Sequence, residues 1–136
     1  MHIHAPSEHT FDGMHRDVEL HIVHKSYVDS SLAVVAVYFD VEEGGNQVNP
    51  FIDSLDLEKK NVTVSAIPLH DLITSIPKDS VFTYEGSLTT PPCTEGVRWV
   101  ILPEAQPISS AQLQDINKLW LNNATFAGGR GNNRLV

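Results

Sequence analysis

The sequence predicts a mainly β protein built on one large sheet, and three observations carry that prediction. Residues 17–24 alternate: Val18, Leu20 and Ile22 take one face of a strand, while Glu19, His21 and Val23 take the other. Residues 32–39 are continuously apolar and rich in β-branched side chains, the pattern of a central strand buried on both faces. Residues 81–84 and 97–102 add two more strand-like runs, against only two short stretches of helical pattern.

In chain order, residues 1–9 read as a strand. His2 and His4 share a face of it, because side chains two apart point the same way. Asp12-Gly13 marks a turn before strand 17–24. One face of that strand is apolar, and the other carries a carboxylate and an imidazole, so it lines something polar. Asp29-Ser30-Ser31 breaks the chain ahead of strand 32–39. Residues 42–49 form a loop around Gly44-Gly45. Asn49 is placed to cap a short helix that starts at Pro50 and buries Phe51, Ile52, Leu55 and Leu57. A short strand is expected over 61–66. A turn or brief helix follows over 68–76, with His70 as an ordinary surface residue. Between strands 81–84 and 97–102 lies the loop 85–96, with Pro91-Pro92 at its centre. Ser109-Ser110-Ala111-Gln112 has the form of a capping box, opening a helix whose Leu113, Ile116 and Trp120 share one face. Residues 127–133 are rich in glycine and asparagine and read as irregular. No internal repeat or domain boundary interrupts the chain.

The 136 residues have the size of one domain, and 41% hydrophobic with 19% charged residues argues for a packed core. The net charge of -8, with nine scattered basic residues, excludes the clustered positive surface that nucleic acid requires and argues against an anionic membrane surface. No apolar run reaches the ~18–20 residues of a membrane-spanning helix, and Met1 leads into a polar segment rather than an apolar leader. Cys93 is the single cysteine, so no internal disulfide forms. Asn61-Val62-Thr63 and Asn123-Ala124-Thr125 are N-glycosylation triplets, which point weakly to a secretory route.

Six of the seven histidines fall in the first 24 residues. If the first two strands pair, His2, His4 and His21 converge on one point, and His24 faces away. Three neutral imidazoles with one open position form a catalytic zinc arrangement. The same histidines also fit a solvated strand face that holds no metal.

Four blocks then share one resemblance. His2-Ile3-His4, Ser7-Glu8-His9-Thr10, Glu19-Leu20-His21-Ile22-Val23-His24 and Ser87-Leu88-Thr89-Thr90-Pro91-Pro92 occur in the order of the α-class carbonic anhydrases, and the chain resembles that family over essentially all its length. Tyr84-Glu85-Gly86 and Val97-Arg98-Trp99 extend the fourth block, and Asn132-Asn133-Arg134 looks like the family's late N-x-R motif. The resemblance implies a mainly β (α+β) fold with a large, mostly antiparallel twisted central sheet and a few short helices. It implies that residues 1–136 are a single partial domain, lacking the family's N-terminal third and its last strands.

For function, the resemblance implies zinc-dependent, reversible hydration of carbon dioxide to bicarbonate and a proton by zinc-hydroxide attack. His2, His4 and His21 would be the zinc ligands. Thr89 and Glu8 would be a catalytic pair, the Thr89 hydroxyl donating to the Glu8 carboxylate so that the attacking oxygen is oriented. Glu19 would support a ligand imidazole from behind, as carboxylates commonly do, although strand geometry alone disfavours a bond to the ring two residues away. Val23, Val34, Leu88, Val97 and Trp99 would form the apolar pocket for carbon dioxide, with Thr90 at its mouth. Each is equally an ordinary core or surface residue when taken alone. His9 and His24 would be buried structural histidines, and His15 exposed in a turn.

The same resemblance places a proton-shuttle histidine and a supporting glutamine before Met1. It gives Cys93 a disulfide partner far upstream, which implies a secreted or organelle-lumen parent protein. A protein partner, or further segments of a parent chain, would complete the fold. The other functional class to weigh is a carbonic anhydrase-like scaffold with a structural or interaction role in a larger assembly, weakly active or inactive.

Overall fold

The computed structural model describes residues 1–57, 68–70, 72, 80–121, 123–125 and 130–134. Its frame is a five-stranded sheet made of β1 (His2–His4), β4 (Val18–Lys25), β5 (Leu32–Phe39), β7 (Glu95–Gln106) and β6 (Phe82–Ser87), in that spatial order. The β1–β4, β4–β5 and β6–β7 pairings are antiparallel, and β5–β7 is parallel. The mostly antiparallel expectation therefore stands, with one parallel joint at the centre. A second, two-stranded sheet pairs β2 (Thr10–Phe11) with β3 (Met14–His15) around the Asp12-Gly13 turn. Both turn residues have positive φ, 51° and 78°, which the Asp-Gly pair accommodates well.

The expected strand 1–9 is a correction: only His2–His4 pair with β4. Pro6 has no N–H to give to a ladder, and Ser7 N instead donates to Arg16 O at 2.9 Å. The loop 85–96 is shorter than expected, because β6 runs to Ser87 and β7 starts at Glu95. A register shift between Gly86 and Ser87 lets the two strands continue toward the loop. The expected strand 61–66 and most of the segment 68–76 lie outside the described residues.

Alternation along β4 and β5 produces two cores, one on each face of the sheet. Val18, Leu20, Ile22, Val37 and Phe39 face the helices. They pack with Phe51 and Ile52 of α1 (Pro50–Ser54), and with Ile108 and Ile116 around α2 (Ser110–Lys118). Asn49 caps α1, its side chain accepting from Phe51 N and Ile52 N. Ser109 and Gln112 close the capping box of α2, and Gln112 also bonds Asn49 on both backbone groups, which ties the two helix starts together. The opposite face carries Val34, Ala36, Tyr38, Val97, Trp99 and Ile101. Glu19 and His21 are buried on that face beside them, the sheet side away from the helices.

Candidate metal centre

The β1–β4 register fixes the histidines. His2 pairs with His21, Ile3 with Leu20 and His4 with Glu19, so the two odd residues of β4 and the two even residues of β1 project together. The ring centroids of His2, His4 and His21 stand 4.6–5.0 Å apart. One ring nitrogen from each lies within 4.8 Å of the other two. His4 and His21 are buried, and His2 is at the exposed rim.

Hydrogen bonds select which nitrogens face the common point. His4 Nδ1 lies 3.2 Å from Asn132 O, a carbonyl that can only accept, so Nδ1 carries the proton. His4 Nε2 is then a buried lone pair with no partner. His21 Nε2 donates to Glu19 Oε1 at 2.7 Å, which turns Nδ1 inward, 3.2 Å from His2 Nε2. Burial, then the neighbouring His21 and His4 rings, pull the His2 imidazole down to about 4. Burial also pushes His4 below its ordinary value, against the opposing pull of Glu8. Such rings are deprotonated near neutral pH, the form that binds a metal. Three nitrogen donors with an orphaned buried lone pair among them suit a tetrahedral zinc ion with one open position.

Glu19 is fully buried and accepts on both oxygens. Oε2 takes Glu8 N and His9 N, and Oε1 takes His21 Nε2, His9 Nδ1 at 2.6 Å and Tyr38 OH at 3.4 Å. Burial alone would raise its pKa, but the bonds from His21 and His9 outweigh it and hold the carboxyl well below the usual range. The expectation that strand geometry disfavours a Glu19–His21 bond is corrected. Both side chains lie on one face of β4, and the buried site leaves the imidazole no water to choose instead.

The other expected residues are placed as follows. Glu8 is 7% exposed; its Oε1 accepts from Arg134 N at 2.9 Å and lies 3.5 Å from His4 Nδ1, while Oε2 is buried without a partner. Thr89 is half-buried in the β6–β7 loop, and no hydrogen bond joins it to Glu8 among the described residues. Val23, Val34 and Trp99 stand side by side across β4, β5 and β7. Val34, Val97 and Trp99 are buried, Leu88 is half-buried against them, and Val23 and Thr90 are exposed. Trp99 closes one side of the centre, its ring 4.8 Å from that of His21. His24 is a correction: it is exposed, because β4 runs past its covered section from Val23 onward. His15 is exposed as expected, though it lies in β3 and bonds Ser7 O through Nδ1.

Sequence reasoning missed Asn132 as a support of His4, and missed Tyr84 and Tyr38 around Glu19. The Tyr84 position was legible in part, since Tyr84-Glu85-Gly86 belonged to the matched blocks. Asn132 was legible only as the start of the Asn132-Asn133-Arg134 motif; its bond to His4, a contact 128 residues away, has no local signal.

The sequence pattern of eukaryotic-type carbonic anhydrases matches residues 1–134. The chain belongs to this carbonic anhydrase family. It is 39% identical over 113 residues to the carbonic anhydrase of Klebsiella pneumoniae, an alignment covering 82% of this chain and 45% of that one. It is 30% identical over 136 residues to dioscorin dioA3 of Dioscorea japonica, covering 91% of this chain and 48% of that one. Among solved structures, it resembles the α-carbonic anhydrase of Thermovibrio ammonificans, determined with the inhibitor sulfanilamide, at 33% identity and a TM-score of 0.76. That match covers 99% of this chain and 56% of the other. The chain thus spans about half the length of the relatives it matches.

Proposed function

We propose that this protein is a carbonic anhydrase that uses zinc to interconvert carbon dioxide and bicarbonate. The observation that carries the reading is the His2–His4–His21 cluster, with the buried, unpartnered Nε2 of His4 aimed into it. When bound there, zinc supplies a water that ionises near neutral pH and can add to carbon dioxide, the established chemistry of this family. The chain's own residues do the rest. His4 and His21 are held in the ligand tautomer by Asn132 O and Glu19. The open Oε2 of Glu8 is the acceptor on which the Thr89 hydroxyl would anchor, fixing the direction in which that hydroxyl accepts from the nucleophile. Val23, Val34, Leu88, Val97 and Trp99, with Thr90 at the rim, supply the apolar wall for an apolar substrate.

Thr89→Ala tests the pair: in the intact protein it should leave zinc bound and slow hydration by roughly 10²-fold, the scale for losing one oriented catalytic hydrogen bond. An unchanged rate would show that Thr89 has no such role. A sulfonamide, the inhibitor class seen with the Thermovibrio enzyme, should bind the zinc-loaded protein and inhibit it.

A second reading has one observation in its favour. Thr89 and Glu8 are not in hydrogen-bond contact among the described residues, which suits a scaffold with a structural or interaction role and weak or no catalysis. Zinc bound at one per chain with no hydration by the intact protein is the result that selects it. The exposed Asn123-Ala124-Thr125 triplet and exposed Cys93 support a secreted or organelle-lumen setting for a glycoprotein. Among the described residues no helix is long and apolar enough to cross a membrane.

A further inference from the structure

The face of the sheet that carries the metal centre continues outward past His21, and the strand register lays it out in rows. His21 stands beside Ala36, Val23 beside Val34 and Trp99, and Lys25 beside Leu32 and Val97. Residues two apart on a strand share a face, so His21, Val23 and Lys25 point the same way. At about 3.3 Å per residue, Val23 lies about 7 Å and Lys25 about 13 Å along β4 from His21. Leu32 packs on Val34, Val97 and Trp99. The surface beyond the histidines is thus an apolar wall, and Lys25 is the charged group at its outer end.

Lys25 and Arg98 are the lysine and arginine residues of β4, β5 and β7, and they lie on opposite faces. Arg98 stands beside Ala33 on the face away from the site, with Glu85 across from it on β6. Lys25 is exposed, and its cross-strand neighbour is the apolar Leu32. The carboxylates at this end of the site face are Asp29 and Glu95. Asp29 accepts from Ser31 within the hairpin, from N at 3.1 Å and from Oγ at 2.8 Å. Glu95 is on β7, two strands over, which is about 10 Å across the sheet. Among the described residues no ion pair engages Lys25. In a chain with a net charge of -8, a cation left open at the end of an apolar wall is a distinct recognition element.

We propose that Lys25 makes the outer end of the site a subsite for anions. It favours a ligand whose head binds the metal, whose apolar body lies along Val23, Val34 and Leu32, and whose far end is a carboxylate. The inference rests on the zinc reading above. Burial against the wall holds the body but does not discriminate between tails. The flexible four-carbon stem of Lys25 can lie back over Val23 with its ammonium in water, which brings the charge toward a para-substituted ring held at the metal. The pair so formed is exposed, so its contribution is small and sensitive to salt.

The test uses the intact, zinc-loaded protein and two sulfonamides of one shape, titrated by calorimetry. Sulfanilamide, the inhibitor seen with the Thermovibrio enzyme, carries a neutral para-amino group. Para-carboxybenzenesulfonamide carries an anion in its place. The readout is the ratio of the two dissociation constants in each variant, so effects on the zinc itself cancel. Lys25→Ala should weaken the carboxylate ligand by about 2–5-fold, the range for one exposed ion pair, and leave sulfanilamide unchanged. Lys25→Arg should restore the wild-type ratio. Lys25→Glu should weaken the carboxylate ligand further and bind a para-aminomethyl sulfonamide more tightly than the wild type does. High salt should erase the difference between the wild type and Lys25→Ala. Lys25 is exposed at a strand end, so these variants leave the core intact. One ratio shared by the wild type, Lys25→Ala and Lys25→Glu would overturn the inference and leave the zinc reading standing. A wild type that binds neither sulfonamide overturns the zinc reading, and this inference with it.

Discussion

His4 donates from Nδ1 to a backbone carbonyl and leaves Nε2 buried with nothing to bind. A buried polar atom without a partner costs about 1–3 kcal/mol, so its persistence needs a reason, and a bound metal supplies one. His4→Ala removes one of three donors and is expected to abolish stoichiometric zinc binding. Isothermal titration with zinc checks this, and retention of one zinc per chain would show that His4 is no ligand. At this scale the sequence was informative about which residue types gather, through the parity of His2, His4 and His21 on paired strands. It was silent on which nitrogen of each ring faces inward. That choice depends on Asn132 O and Glu19, and Asn132 reaches the site only through the folded chain.

The segment 131–134 acts as a strap along the outer edge of β1. Asn132 donates from N to Ala5 O and from Nδ2 to Ile3 O, and accepts from Ala5 N through Oδ1. These bonds satisfy backbone groups that an edge strand would otherwise leave open. They also deliver the carbonyl that holds His4 and the amide of Arg134 that holds Glu8. Gly131 makes the close approach: its φ is +142°, and a Cβ there would lie 2.2 Å from Ala5 O. Gly131→Ala is therefore expected to lower stability by more than about 1 kcal/mol, since neither the dihedral nor the space suits alanine. Chemical denaturation measures it, and an unshifted midpoint would mean that the strap is not needed. From composition the same segment read only as irregular, because a strap has no periodicity of its own. The helices were legible for the opposite reason: Asn49-Pro50 and Ser109 to Gln112 carry their capping chemistry within four residues.

Across the molecule, each face of one sheet has a separate task. The even residues of β4 pack against the helices, and the odd residues carry the site. The alternation of 17–24 and the continuous apolar run 32–39 made this division readable in advance. The parallel β5–β7 joint was not readable, because pairing between distant strands leaves no mark in either one. Because the site spans β1 and β4, zinc should bind the folded chain and not the unfolded one. Zinc at 100 times its dissociation constant is then expected to stabilise the protein by about 2.7 kcal/mol, seen as a raised melting temperature. An unshifted transition would mean that zinc does not bind the folded cluster. The most direct test of the account is carbon dioxide hydration by the intact protein, followed by stopped flow as zinc is removed and restored. Activity should fall to the uncatalysed rate in the metal-free protein and return with one zinc per chain, but not in His21→Ala. Hydration that survives zinc removal, or a zinc-loaded protein no faster than buffer, would contradict it.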